Sequence, residues 1–320
     1  MSPPPALHLY VKKFRALIVR ALVLLPLLCA LPTLADVVIV KSSDAEPYKQ
    51  AEQALHDRLA APDCNVRSVL AKDLAENGIG ASISTSDTVV AIGTPAASWL
   101  HNQLPGGIEL VYCMVSNPLD AGLLKGPACW GITTEVSISD QMSLIAEALP
   151  HARTIGALYR SDTPAARQAM QSLKDSLPPK WNLLAVEVND HTSVGEAIDT
   201  LTQSKADIIW TSADSKLYDG ATVRELLLSA VRNGIPVWGF SPAFVRAGAL
   251  IGGGVDPHTQ GEQAADLVNQ LKDTKHAAPD KVQFARDYQI AVNLIVADQL
   301  GIEVPDSLIR RAVYVFRQEK

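Results

Sequence analysis

The chain has 320 residues, of which 48% are hydrophobic and 19% are charged, and its formal net charge is −6 at pH 7. This composition excludes a disordered chain and a multi-span membrane protein, and the length is enough for two domains or one large one with a real core. The acidic balance argues against nucleic-acid binding, because a negatively charged protein repels phosphate backbones.

The first 35 residues differ from the rest of the chain. Four basic residues and no acidic one accompany the apolar run ALVLLPLLCALPTLA, which ends in small residues. This order predicts a secretory signal peptide over residues 1–35, cleaved before Asp36. We therefore expect a periplasmic mature protein.

Two other interpretations of this leader are weaker. An uncleaved membrane anchor needs roughly 20 apolar residues, whereas Pro26 and Pro32 interrupt a shorter run. A lipid anchor on Cys29 is disfavoured because Leu28 stands where a small residue would be wanted. A membrane-anchored form is therefore the alternative, not the expectation.

From Asp36 onward, short β-branched runs alternate with longer amphipathic segments. The first series of predicted strands is Val37–Lys41, Asn65–Leu70, Thr88–Ile92, Glu109–Val115 and Trp130–Thr133, with helices such as Tyr48–Ala60 and Ala96–Gln103 between them. The second series is Thr154–Tyr159, Asn182–Val188, Ile208–Thr211, Val237–Phe240 and Leu250–Gly253. Repeated strand and helix predict parallel sheets with right-handed crossovers, so two series predict an α/β fold with two such sheets.

The segments that follow each series predict how the two halves connect. TTEVSISDQMSLIAEALPHART predicts a crossing strand and then a helix capped near Ser139 or Asp140. DPHTQGEQAADLVNQL predicts a further helix, and KVQFARDYQIAVN predicts one strand or a pair. We expect a first lobe of residues 36–133 plus 258–285, a second lobe of residues 134–257 plus 286–320, and a ligand cleft between them.

Four polar residues stand directly before a proline at predicted strand ends: Thr94, Asn117, Ser241 and Asp256. Such residues are preferred helix caps, and proline is tolerated at the first helical position, so each pair predicts a strand end and a helix start. Parallel strands end at one sheet edge, where ligands of open α/β folds bind and helix N-termini attract anions. One such pair is usually only a cap, but four pairs in both halves favour a shared ligand site.

Motifs for catalysis or for cofactor and metal binding are missing. The histidines make no HExxH or other ligand spacing, and the chain contains no GxSxG, Walker or GxGxxG motif. We therefore expect no enzyme activity, no cofactor and no metal. Cys113 and Cys129 fall in consecutive predicted strands, so a disulfide between them is one interpretation and two small buried hydrophobes are the other.

Six segments in chain order resemble the ABC-transporter substrate-binding proteins of the tryptophan/tyrosine-import type: VVAIGTPAA, VSNPLDAGLL, QMSLIAEALPHARTIGALYR, NGIPVWGFSPAFVRAGAL, GVDPHTQGEQAADLV and VNLIVADQLGIEVPDSLIRRA. The resemblance runs from Val37 to about Ala312. It implies the two-lobed periplasmic-binding-protein fold of the first type, with three crossings and a ligand between the lobes. Members of this family capture solutes, aromatic amino acids among them, and deliver them to a permease with an ATPase partner.

The same resemblance implies ligand-binding positions in both lobes. The matching segments GTPA, VSNP, TSADS and GVDP place at the cleft Thr94, Ser116, Asn117, Ser212, Asp214 and Asp256. Many relatives carry an acidic residue after IPVWG, whereas this chain has Phe240 and Ser241 there. A ligand ammonium would then need Asp214 or Asp256 as its partner.

Aromatic side chains are the remaining candidates for ligand contact. Phe240, Tyr48 and Tyr218 suit stacking on a planar ligand, and ordinary packing is the alternative for each. The resulting expectation is a monomeric solute-binding protein of an ABC importer. A sensing module for a membrane histidine kinase or chemoreceptor would use the same cleft, and neighbouring genes would distinguish the two roles.

Overall fold

The computed structural model describes residues 36–59, 65–126, 128–214, 216–273 and 279–318. The predicted signal peptide over residues 1–35 lies outside these ranges. Within them, none of the helices combines the length and the apolar character that crossing a membrane requires.

Thirteen strands occur in the described ranges: β1 Val37–Lys41, β2 Val66–Leu70, β3 Thr88–Ile92, β4 Glu109–Val115, β5 Cys129–Thr133, β6 Thr154–Tyr159, β7 Asn182–Glu187, β8 Ile208–Trp210, β9 Val237–Gly239, β10 Ile251–Val255, β11 Val282–Gln283, β12 Tyr288–Asn293 and β13 Tyr314–Phe316. The α-helices there are α1 Glu46–Leu59, α2 Ala71–Asn77, α3 Thr94–Gln103, α4 Ile138–Ala148, α5 Pro164–Ser176, α6 Val194–Gln203, α7 Gly220–Arg232, α8 Pro242–Ala247, α9 Pro257–Lys272, α10 Leu294–Leu300 and α11 Asp306–Arg311.

The strands form two sheets. The first sheet has six strands in the order β11-β5-β4-β3-β1-β2, and its strand pairs are parallel. The second sheet has seven strands in the order β13-β12-β10-β9-β8-β6-β7, with β12 antiparallel to β10. The predicted α/β architecture is confirmed, with two sheets of mostly parallel strands; the antiparallel β12 is the exception in the second sheet. The residue boundaries of the two lobes stay a prediction.

Central strands of the first sheet are apolar along their whole length because both of their faces are covered by helices. β1, with the sequence VVIVK, and β3, with TVVAI, are buried at every position. On one face, α1 and α9 pack closely enough that a Cβ on Gly261 would lie 2.1 Å from the Ala51 carbonyl oxygen. The helix α9 follows a strand of the second sheet but packs on the first.

The chain passes between the sheets three times: from β5 to α4, from β10 to α9, and from β11 to β12. The segment KVQFARDYQIAVN therefore forms a pair of strands, with one strand in each sheet. Three crossings are what the resemblance implied.

The side chains of three buried glutamines form hydrogen bonds with the backbone beside these crossings. Gln141 donates to the Val136 carbonyl at 2.8 Å, just after the chain leaves the first sheet. Gln260 donates to the Thr133 carbonyl at 3.2 Å, at the end of β5. Gln263 accepts the Arg286 N–H and donates to the backbone carbonyl of Phe284, each at 3.0 Å.

The disulfide considered between Cys113 and Cys129 is not formed, and both residues are buried as free thiols. Cys129 pairs with Leu110 across β4 and β5, so Cys113, three residues further along β4, points to the opposite face of the sheet. Cys113 packs in the cluster that includes Leu55 of α1, whereas Cys129 packs in the cluster that includes Leu100 of α3. Adjacent strands were predicted correctly, but the two side chains lie on different faces.

Two of the four polar-proline pairs depart from the predicted helix start. Asn117 leads into a turn and has φ +52°, so no helix begins there. Thr94 is the first residue of α3 and not its cap, because Gly93 precedes the helix and Ser42 Oγ accepts the Ala96 N–H at 3.0 Å. Ser241 and Asp256 do cap α8 and α9 through their side chains.

The cap of α4 also differs from the prediction. Ser137 is the N-cap and accepts the N–H of Asp140, so the helix starts before both of the predicted caps, Ser139 and Asp140. The sequence offered several suitable polar residues in a row, and pattern alone did not choose among them.

Candidate functional site

A cavity of about 580 Å³ lies where the two sheets face each other. Its wall is built from the segments after β4 and β5, the first crossing, α5, and the ends of β8, β9 and β10, with Phe284 of the third crossing at the border. Most of these segments follow the carboxyl ends of strands, the edge at which open α/β folds bind ligands.

The first sheet contributes a hydrogen-bonded group of polar side chains. Ser116 and Thr134 lie at the ends of β4 and β5, and their hydroxyl oxygens are 2.9 Å apart. The Asn117 N–H donates to Glu135 Oε1 at 3.3 Å, and the Asn117 side chain donates to the Ala213 carbonyl at 2.9 Å. This part of the wall therefore reaches from the first sheet across to the second.

Glu135 is a half-buried carboxyl group in this wall. Burial raises the pKa of Glu135 above its usual value, the Asn117 N–H opposes this, and the negative charge of Asp120 adds to it. Asp120 also lines the cavity but is exposed. Asp120 is therefore near enough for its negative charge to disfavour the ionisation of Glu135.

The second sheet contributes polar residues that are held by their own hydrogen bonds. Asp214 Oδ1 accepts the Lys216 N–H at 2.9 Å, and Ser241 Oγ accepts the Phe244 N–H at 3.2 Å. Ser212 also lines the cavity. Asp214 and Ser241 thus stabilise a turn and a helix start as well as facing the cavity.

Aromatic side chains supply the apolar part of the wall. Trp210 and Trp238 are register partners on β8 and β9, and both are buried. The Trp210 indole N–H donates to Gln141 Oε1 at 2.6 Å, whereas the buried Nε1 of Trp238 has no hydrogen-bond partner in the described chain. Phe240 lines the cavity and packs against Phe244, with the ring centroids 5.0 Å apart.

Six of the nine residues predicted for ligand binding line this cavity: Ser116, Asn117, Ser212, Asp214, Phe240 and Ser241. The other three, Thr94, Tyr48 and Asp256, do not line it. Thr94 and Tyr48 lie at the carboxyl edge of β1 and β3, where a Cβ on Gly93 would be 3.0 Å from the Tyr48 hydroxyl. Asp256 caps α9 by accepting the His258 N–H at 3.1 Å. A direct ligand contact for any of the nine stays a prediction.

Sequence reasoning missed several cavity residues. Glu135 comes two residues after the predicted strand Trp130–Thr133, as Asn117 comes two residues after Glu109–Val115, but no proline follows Glu135. Trp210 and Trp238 lie inside predicted strands and give no signal of their position. Phe284 lies on a crossing segment, whose path no local pattern predicts. Tyr218, which was considered for stacking, is buried against Phe240 and Phe244, outside the cavity wall.

The charge of the cavity wall has one sign. Asp120, Glu135 and Asp214 line it, and its described lining contains no lysine, arginine or histidine. Across the described ranges, no group of three or more His, Cys, Asp or Glu side chains is arranged to hold a metal ion.

Residues 31–316 match the model of a protein family described as ABC transporter substrate binding protein. A curated relative, a tyrosine-binding protein of Clostridioides difficile strain R20291, is 27% identical over 214 residues, which is 65% of this chain. The match spans 61% of that relative's own length.

Solved structures share the fold at low sequence identity. A ligand-free, open substrate-binding protein with adhesive properties from Clostridium difficile has a TM-score of 0.66 and 19% identity, covering 89% of this chain and 100% of its own. A domain from Streptococcus pneumoniae in complex with L-Trp has a TM-score of 0.59 and 21% identity, covering 88% and 99%. A conserved domain protein from Vibrio cholerae has a TM-score of 0.58 and 24% identity, covering 88% and 100%.

Proposed function

The chain belongs to the ABC transporter substrate-binding protein family, and from this premise we propose that it captures one small molecule outside the cytoplasmic membrane and delivers it to an ABC permease with its ATPase. The ligand is bound and released without any change in its covalent structure. The protein acts as a monomer, with the permease as its partner.

The observation that carries this proposal is the cavity of about 580 Å³ between the sheets. Small-molecule sites usually fall between 300 and 1,000 Å³ and combine apolar walls with a few placed polar groups. Trp210, Trp238 and Phe240 provide the apolar wall here, and Ser116 and Ser212 provide hydroxyl groups from opposite sheets. A ligand in this position would contact both sheets at once.

Contact with both sheets supports a mechanism of capture by closure. A ligand that binds better between two approaching lobes shifts the equilibrium towards the closed form. Two hydrogen bonds already join the two sides at the cavity: Asn117 to the Ala213 carbonyl, and the Ala165 N–H to Asp120 Oδ1 at 3.4 Å. In the closed form, further contacts between the two sides would form over the ligand.

The ligand is a small molecule with an aromatic body. One relative is named for tyrosine binding, and one structural neighbour holds L-Trp. The indole rings of Trp210 and Trp238 and the ring of Phe240 give an aromatic ligand surfaces for offset or edge-to-face contacts.

Ligand screening by thermal unfolding tests this proposal. The purified secreted protein is heated with aromatic amino acids, aromatic amines, purines and small carboxylates, and a ligand at 100 times its Kd adds about 2.7 kcal/mol of stability. Phe240→Ala should weaken binding, whereas Leu228→Ala, which changes an exposed leucine outside the cavity, should not. Failure of the whole set to stabilise the protein, with no small molecule released when purified protein is denatured, would contradict the proposal.

Mass spectrometry of the bound ligand tests the absence of turnover. The ligand recovered after long incubation with the protein should have the mass that was added. A new mass that appears in proportion to the protein concentration would indicate catalysis instead.

Export is tested by cell fractionation. Protein expressed with residues 1–35 should appear in the periplasm in a cleaved form that begins at Asp36. A variant expressed without residues 1–35 should stay in the cytoplasm. A periplasmic full chain that keeps its leader would favour the membrane-anchored form.

A further inference from the structure

Two carboxylates of the cavity wall, Asp120 and Glu135, form no ion pair with the described basic residues. Ion pairs occur elsewhere in the molecule, such as Lys41 with Glu52 at 2.7 Å, but none of those formed by the described residues includes Asp120 or Glu135. Glu135 is half-buried and accepts one long backbone hydrogen bond. A partly buried carboxylate without a counter-charge is unfavourable, and a cationic group placed beside it removes the penalty.

At two of the three helices that begin at the cavity, N–H groups that could hold a ligand carboxylate are already occupied. In the absence of a basic side chain, helix N-termini are the usual anion site. At α5, the Ala165 and Ala166 N–H groups donate to Asp120 and to Thr163 Oγ1. At α8, the Phe244 N–H donates to Ser241 Oγ, and Pro242 has no N–H. α5 and α8 thus donate these N–H groups to side chains of the protein. At α4, the third helix that begins at the cavity, Ser137 Oγ takes up the Asp140 N–H.

One side chain of the wall carries a buried donor that the described chain leaves unsatisfied. Trp238 is 1% exposed and lines the cavity, and its indole N–H has no acceptor in the described chain. A buried donor without a partner costs about 1–3 kcal/mol, so native structures rarely leave one. An acceptor atom of the ligand that reaches this N–H, such as a phenol oxygen, would provide the partner.

We propose that the cavity recognises an organic cation, an aromatic amine whose ammonium group pairs with Glu135 and Asp120, and that a ligand carboxylate is not required. This inference rests on the proposed function and specifies its ligand class. It departs from the expectation of an anion at the helix N-termini, because the charged side chains of the described lining are all acidic and the amide donors named above at α5 and α8 are taken.

A series of three phenols separates the two charges of an amino acid. Tyramine carries the amine alone, 3-(4-hydroxyphenyl)propionate carries the carboxylate alone, and tyrosine carries both. By calorimetry with the wild-type protein, we expect the Kd of tyramine to be no more than roughly tenfold above that of tyrosine, and the carboxylate compound to bind at least roughly tenfold more weakly than tyramine, where tenfold is about 1.4 kcal/mol. Any other order overturns the inference.

Isosteric variants identify the groups that pair with the amine. Glu135→Gln should weaken tyramine binding roughly tenfold or more, because it removes the less exposed charge. Asp120→Asn should have a smaller effect, because Asp120 is exposed and its charge is screened. Glu76→Gln, on the exposed side of α2, is the matched control and should bind as the wild type does. An unchanged tyramine Kd in Glu135→Gln contradicts the inference.

The outcomes also separate this inference from the proposed function. If another molecule of the broad screen binds the wild-type protein and tyramine does not, the inference is wrong while the proposed function stands. If nothing in the broad screen binds, both are wrong. The tyramine series uses only wild-type protein, so its result does not depend on how any variant folds.

Discussion

The side-chain amide of Asn117 donates a hydrogen bond of 2.9 Å to the carbonyl oxygen of Ala213, and this bond joins the end of β4 in the first sheet to the segment after β8 in the second. The same residue holds Glu135 through its backbone N–H. Asn117 has φ +52°, a conformation that asparagine tolerates better than most residues do. One residue therefore combines a strained backbone, a contact between sheets and the position of a cavity carboxylate.

Two substitutions at Asn117 separate these contributions. Asn117→Gly keeps the backbone conformation and removes the bond to Ala213, which we expect to cost about 0.5–1.5 kcal/mol of stability. Asn117→Ala removes the same bond and adds the cost of a left-handed backbone, about 1–2 kcal/mol more. Urea unfolding measures both. Equal stability of the two variants would show that the positive φ relaxes without cost.

Replacing Glu135 with glutamine should stabilise the ligand-free protein at neutral pH. The raised pKa means that the folded state holds the Glu135 proton more tightly than the unfolded state does. Stability from this group therefore falls as pH rises from the unfolded carboxyl pKa, about 4.3, through the raised folded value. Glutamine does not ionise and keeps an oxygen that can accept the Asn117 N–H.

The pH dependence is the control for this prediction. The melting temperature of Glu135→Gln should exceed that of the wild type at pH 7 and match it below pH 4, where the wild-type carboxyl is protonated. A difference between the two proteins that stays constant across this pH range would mean that packing, and not ionisation, explains it. Glu76→Gln should follow the wild type throughout.

Phe284 should contribute to ligand binding although it is 48% exposed in this structure. It borders the cavity, and Gln263 holds its backbone carbonyl at 3.0 Å. An aromatic ring in that position would cover a bound aromatic ligand. Phe284→Ala should raise the ligand Kd roughly tenfold, equivalent to about 1.4 kcal/mol.

Leu228 provides the comparison for Phe284, because it is 51% exposed but lies outside the cavity wall. Leu228→Ala should leave the Kd unchanged. Both variants should unfold at nearly the wild-type temperature, since neither side chain is in the core. Equal affinities of Phe284→Ala and the wild type would exclude a role for this ring in covering the ligand.

Gly93→Ala should destabilise the carboxyl edge of the first sheet. Gly93 has φ +94°, and a Cβ there would lie 2.6 Å from Ser42 Oγ and 2.9 Å from Tyr48 Cζ. The loss should exceed the roughly 1–3 kcal/mol of backbone strain alone. Gly107→Ala is the matched control, because Gly107 has φ +101° and its Cβ would contact nothing within 4 Å. Equal losses in the two variants, measured by urea unfolding, would mean that the side chains around Gly93 move aside freely.

Local sequence patterns predicted the elements of this fold well. Strands such as Val37–Lys41 and Thr88–Ile92 are buried on both faces, so the apolar run itself marks them. The return of α9 to the first sheet was also predictable from the chain order. The face that a side chain occupies also depends on the register between strands, and Cys113 and Cys129 lie on neighbouring strands but on opposite faces of the sheet.

The cavity was only partly predictable. Ser116, Asn117, Ser212 and Ser241 follow predicted strands, and a parallel sheet brings such positions to one edge. Phe284 reaches the cavity through the path of a crossing segment, which depends on contacts between distant parts of the chain. The absence of basic side chains from the described cavity lining is a property of the assembled wall and has no counterpart in any single segment.

The glutamine bonds beside the crossings restrict where the backbone can turn. Gln260 and Gln141 hold the carbonyl oxygens of Thr133 and Val136, on either side of Glu135. Gln263 holds the Arg286 N–H, two residues before β12 begins. In the closure proposed above, rotation of the two sheets would then fall on the backbone torsions that these bonds leave free, and those of Glu135 are among them. The Glu135 carboxylate, which is proposed to pair with the ligand's amine, would therefore move when the sheets rotate. The charge of the ligand would then influence the angle between the two sheets.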